Sequence, residues 1–168
     1  GEFVMKKMIC LMLSLLMVLS MAACGNSGDA QGSKTMKIAI VQQLDHSSLD
    51  EIRNAIETQL KTQAAEKNIA INITHDNGQN ANSMLNQIAT QVVADQPDMI
   101  IPIATLAAQA AVLAAEGTDI PVVYAAISDP ESAGLTGLPT VTGVSDALNT
   151  PFILDMMLAA QPDVKTVG

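Results

Sequence analysis

The chain has 168 residues, with 17 acidic against 8 basic side chains and a formal net charge of −9. That balance, with Arg53 as the single arginine, excludes the basic footprint that nucleic-acid binding requires. Both cysteines, Cys10 and Cys24, fall in the first 24 residues, so the remainder has no disulfide, no thiolate metal site and no cysteine nucleophile.

Gly1 to Val4 precede a natural-looking start at Met5 and are set aside. Lys6-Lys7, a Met/Leu-rich run from Met8 to Leu19, and the small residues Ala22-Ala23 follow in the order of a secretory signal. Cys24, placed directly after them, resembles the cysteine of a bacterial lipobox, with Met21 where that pattern prefers leucine. The expectation is cleavage after residue 23, lipidation of Cys24, and attachment of the exported protein to the outer face of the cell membrane. An uncleaved membrane anchor is the alternative, but Met8–Ala23 is shorter than the roughly 20 residues a span needs. An acidic domain gains nothing from anionic lipid, so attachment would rest on acyl chains.

Gly25–Thr35 is small, polar and Gly-rich, a flexible tether. From Met36 the pattern alternates. Lys37–Gln42 reads as a strand. Leu49–Glu66 carries Leu49, Ile52, Ile56, Leu60 and Ala64 at helical spacing, and Ile69–Thr74 alternates at period two. Ala81–Asp95 sets Met84, Leu85, Ile88, Ala89, Val92 and Val93 on one helical face. Asp98–Ile103 is an apolar strand whose Pro102 argues against a central position. Thr105–Glu116 is an Ala-rich helix suited to close packing on a sheet. Ile120–Ala125 and the shorter Val141–Val144 are strands, and Thr150–Ala160 is a helix with Pro151 in its first turn. After Gln161-Pro162-Asp163, residues 164–168 have the look of a new strand.

Strands alternating with helices predict an α/β fold, a parallel sheet of about five strands with helices on both faces. Ligands of such sheets bind beyond the carboxyl ends of the strands. The loops there hold Asp45, Ser47 and Ser48 after the first strand, Thr105 after the third, and Ser128 and Asp129 after the fourth. Hydroxyls and helix N-termini suit a carboxylate or phosphate, and Asp45 or Asp129 could answer an ammonium group. Structural roles compete: Ser48 with Glu51 forms a capping-box pattern, and Ser128-Asp129-Pro130 reads as a cap and first helical position.

Other chemistries lack their residues. The first loop has no glycine, so the dinucleotide fingerprint is missing, and no phosphate-cradling Lys-Ser/Thr loop occurs. Asp45-His46 and His75-Asp76 lack metal-ligand spacing and read as solvated loops. No G-x-S-x-G elbow points to a hydrolase. No cofactor, metal or enzymatic activity is expected.

The segments V-Q-Q-L-D-H-S-S-L-D, L-N-Q-I-A-T-Q, I-A-T-L-A-A-Q-A-A, I-P-V-V-Y-A-A-I-S-D-P-E-S-A-G-L and V-T-G-V-S-D occur in that order between Lys37 and Gly168. Together they resemble the substrate-binding lipoproteins of ABC importers, tryptophan/tyrosine type. The resemblance implies a type I periplasmic-binding-protein fold, with two α/β lobes and a ligand held between them. Residues 36–163 would then form the N-terminal lobe, and 164–168 the start of a second one. It implies Asp45, Ser47, Ser48, Thr105, Gln109, Ser128 and Asp129 as ligand contacts, and an ABC permease as partner of a monomeric, membrane-anchored protein. Scarce aromatics disfavour sugar stacking, so an amino acid, apolar or aromatic, is the expected ligand. The alternative is a ligand-sensing receptor lobe coupled to a signalling partner.

Overall fold

The computed structural model describes residues 35–166; the signal segment, Cys24, the tether up to Lys34, and Val167-Gly168 lie outside the described residues. Strands and helices alternate as β1 (Met36–Gln42), α1 (Ser47–Glu66), β2 (Ile71–Asn77), α2 (Asn82–Ala94), β3 (Met99–Ile103), α3 (Thr105–Ala114), β4 (Val122–Ile127), β5 (Val141–Ser145) and α4 (Thr150–Ala160). The strands form one parallel sheet in the order β2-β1-β3-β4-β5, a doubly wound arrangement whose order reverses between β1 and β3.

Period-two alternation sends successive β1 side chains to opposite faces. Ile38 and Ile40, with Ile101 and Ile103 of β3, pack under Leu49, Ile52, Ile56 and Leu60 of α1. Ala39 and Val41, with Ile100 and Val122, pack under Leu85, Ala89 and Val92 of α2 and the alanines of α3. Ala107, Ala108, Ala110 and Ala111 are all buried, and their small size lets α3 lie close to the sheet. The sheet is thus covered on both faces, as the near-continuous apolar strands require. α4 buries none of its side chains.

Three local expectations are corrected. Pro102 sits in β3, the middle strand, and is fully buried. Ile100 N–H donates to the Pro121 carbonyl at 3.0 Å and Ala104 N–H to that of Ala125 at 3.0 Å. Alternate residues donate to the same neighbour, so Pro102 occupies the position between them and the β3–β4 ladder omits one rung. Two intact flanking bonds and packing on both faces tolerate that loss.

His75 and Asp76 are not in a loop but in β2, because pairing with β1 runs on to Gln42↔Asn77. As an edge strand β2 accommodates exposed polar residues. Partial desolvation, and then the charge of Arg53, hold His75 below its usual pKa. Likewise β4 continues past Ala125 to Ile127, which is fully buried. Beside it Gly143 is paired with Tyr124, where any Cβ would overlap the tyrosine carbonyl and ring, so only glycine allows this approach. Residues 164–166 lie in no strand.

Candidate functional site

All strands are parallel, so their carboxyl ends share one rim, and the loops after β1, β3, β4 and β5 meet there. The end of β1 carries two glutamines with opposite assignments. Gln42 is fully buried; its Nε2 donates to the Leu44 carbonyl and to Asp50 Oδ1, both at 2.8 Å, and its Oε1 accepts from Arg53 Nε at 3.2 Å. Arg53 continues to Glu57 at 3.2 Å, and Glu57 to Lys61 at 3.0 Å. The hydrogen bond from Lys61 is the main reason the Glu57 carboxyl lies below its usual pKa. Gln43 turns the other way, towards β3, α3 and Asn80.

Asp45 stands exposed on the rim and accepts a 2.6 Å hydrogen bond from Asn77 Nδ2 at the end of β2. Ser47 and Ser48 form the first turn of α1, both exposed. The expected capping box from Ser48 to Glu51 is not formed. His46, extended at φ −155, caps the helix instead, its Nδ1 accepting from Ser48 N–H at 3.3 Å. Tertiary ties on either side, Gln42 to Leu44 and Asp45 to Asn77, place the helix start one residue before the serine pair. Among the described residues, neither serine hydroxyl has a protein partner.

Thr105 opens α3, half-buried, immediately after Ala104, whose φ of 74° and ψ of 162° lie in a region natural to glycine. Gln109 is one turn further along α3 and is not brought to the rim. Its Nε2 donates to the Ala133 carbonyl at 3.1 Å, beside a groove of about 740 Å³ whose lining includes Val122, Thr140 and Val141 at the amino ends of β4 and β5. That groove is therefore not part of the rim.

Ser128 comes directly after β4, and its hydroxyl donates to Asp146 Oδ1 at 2.9 Å, joining the ends of β4 and β5. Asp129 accepts from the Ser132 N–H and hydroxyl, bonds that hold its carboxyl below the usual range. It caps as expected, but the segment it caps is a turn over 130–134 and not a helix. The rim thus brings together Asp45, Ser47, Ser48, Thr105, Ser128 and Asp129. Reading the sequence missed Gln43, Asn80 and Asp146. Two polar residues closing an apolar strand, Gln42-Gln43, were the available signal for the first, and the V-S-D segment for the last.

No cluster of three or more metal-ligating side chains occurs among the described residues, and no helix there is long and apolar enough to cross a membrane. The rim offers hydroxyls, amides and carboxylates on an open polar face, groups that suit reversible capture of a small polar molecule.

Comparison with known proteins agrees with this geometry. The sequence profile of a family described as ABC transporter substrate binding protein matches residues 37–168. A tyrosine-binding protein of Clostridioides difficile is 30% identical over 151 residues, covering 87% of this chain and 43% of the relative. A structure from Streptococcus pneumonia in complex with L-Trp is 33% identical, with a TM-score of 0.68 over 78% of this chain and 45% of that one. The ligand-free, open structure of a substrate-binding protein with adhesive properties from Clostridium difficile is 32% identical, with a TM-score of 0.69 over 78% and 45%. The chain spans less than half the length of these relatives. On the profile match across its whole α/β region, the chain belongs to the ABC transporter substrate-binding protein family, a family of binding proteins.

Proposed function

We propose that the chain is the N-terminal lobe of an extracytoplasmic solute-binding lipoprotein that captures an aromatic amino acid for an ABC permease. In this reading Cys24 carries the lipid, residues 24–35 are the tether, and residues from 164 onward begin a second lobe. The ligand lies between the lobes and shifts an open–closed equilibrium of the monomer. The observation that carries the reading is the convergence of Asp45, Ser47, Ser48, Thr105, Ser128 and Asp129 on one rim of a lobe similar in fold and sequence to one solved with L-Trp. Hydroxyls at the starts of α1 and α3 suit the carboxylate of a zwitterion, and Asp45 and Asp129 its ammonium group. Gln109 would contribute through the turn it holds at Ala133 and not by contact.

Calorimetric titration of the full-length protein tests this. L-Tyrosine or L-tryptophan should bind at micromolar concentration or below, and a panel of sugars should give no heat. Binding of a sugar with no response to any amino acid would sink the assignment.

A further inference from the structure

Gln43 is the first residue after β1, at the point where strand order turns from β2 on one side to β3 on the other. It ties three elements together. Its N–H donates to the Ile103 carbonyl of β3 at 3.1 Å, and its carbonyl accepts from Asn80 N–H at 2.8 Å. Its side-chain Nε2 donates to Asn80 Oδ1 at 2.9 Å, and Oε1 accepts from Leu106 N–H at 2.9 Å. Any residue but proline could make the two backbone bonds. The other two need a donor and an acceptor at the same reach, which among neutral side chains of this length is a glutamine amide.

The bond to Leu106 completes a helix start that cannot complete itself. An N-cap side chain normally accepts from the second or third helical N–H. Ala104 holds the cap position of α3 without any such side chain, and in a conformation natural to glycine. Gln43 supplies the missing acceptor from a different strand. Its other arm fixes Asn80, itself at φ 58°, in the loop between β2 and α2.

We infer that Gln43 is a positioning residue for ligand binding: it sets the first turn of α3, and with it Thr105, relative to the ends of β1 and β2. This rests on the binding role proposed above. Gln43 is half-buried and acts through what it holds, so its effect on affinity must travel with the order of Leu106.

The test uses the full-length protein with L-tyrosine and L-tryptophan as probes, and reads affinity together with amide hydrogen exchange at Leu106 and Asn80. Gln43→Leu keeps the bulk and removes both side-chain bonds. It should weaken binding about tenfold and speed exchange at the Leu106 amide, while the Asn80 amide, bonded to the backbone carbonyl of residue 43, keeps its protection. Gln43→Glu retains an oxygen acceptor for Leu106 N–H, so it should restore protection there and recover affinity towards the wild-type value. A Gln43→Leu variant that binds like wild type, or that loses affinity with Leu106 still protected, overturns the inference, as does a Gln43→Glu variant no better than Gln43→Leu. If the wild-type protein binds neither amino acid, the functional reading fails and the inference with it; protection factors at Leu106 then still report whether the Gln43 bond exists.

Discussion

At the scale of single residues, Gln42 shows how a polar group earns a place in an apolar strand. It is fully buried between Val41 and the rim, yet its amide is used at both ends, by Leu44, Asp50 and Arg53. Satisfied in this way it costs little; left unmatched, its partners would cost much. Gln42→Leu preserves size and removes all three bonds, leaving the Leu44 carbonyl and the inner edge of Arg53 facing a methyl group. The expected loss is about 1–3 kcal/mol, visible as a lower urea midpoint with an unchanged slope. An unshifted midpoint would mean that water reaches Leu44 and Arg53, and that the site is less closed than its packing indicates. The neighbouring Gln43 has the same chemistry and a different use, because strand alternation points the two amides at opposite sides of the sheet.

At the scale of elements, the starts of the helices carry most of the functional geometry. α1 begins on a histidine cap, α3 on an alanine at positive φ, and α4 on Asn149, whose side chain accepts from Phe152 N–H at 3.1 Å. Ala104 is the costly one. A non-glycine residue in its conformation is strained by roughly 1–3 kcal/mol, whereas glycine at an ordinary position loses about 0.5–1 kcal/mol through a freer unfolded chain. Since strain relief exceeds the entropic loss, Ala104→Gly should raise stability by up to about 1–2 kcal/mol and the thermal midpoint with it. A lower midpoint would show that the Ala104 methyl group makes contacts worth more than the strain.

The order of elements and their buried faces were legible in the sequence because periodicity reports burial directly. The recurring Leu49, Ile52, Ile56 and Leu60 face the sheet as their spacing predicts. The features that were not legible depended on partners distant in sequence. His75 and Asp76 carry no strand signal of their own and enter β2 only because β1 extends beside them. Pro102 is a poor central-strand residue until both neighbouring strands and both helical layers are in place. At the rim, loop position identified the Asp, Ser and Thr residues, but the Gln43–Leu106 bond joins positions 63 residues apart, and no local pattern announces it.

At the scale of the whole molecule, the two ends of the described chain differ in how well they bury apolar surface. The sheet with α1, α2 and α3 has layers on both sides, whereas α4 has none of its residues buried and leaves Phe152, Leu154, Met156, Met157 and Leu158 at 39–57% exposure. A helix this apolar, with no side chain enclosed, lacks the packing that normally supplies most of helical stability, and contiguous exposed apolar surface promotes association. The chain from Gly25 onward should therefore bind a hydrophobic dye and self-associate as its concentration rises. Replacing Phe152 and Leu158 with glutamate should suppress both effects while moving folding stability by no more than about 0.5 kcal/mol per site, the range for surface substitutions. Light scattering and dye fluorescence on the parent and the doubly substituted chain, each from Gly25 onward so that the Met/Leu-rich leader contributes to neither, would separate this from a general stickiness of the acidic domain. If the substitutions instead lower the thermal midpoint by many degrees, α4 packs against the lobe in solution, and its apolar face is part of this domain's own core.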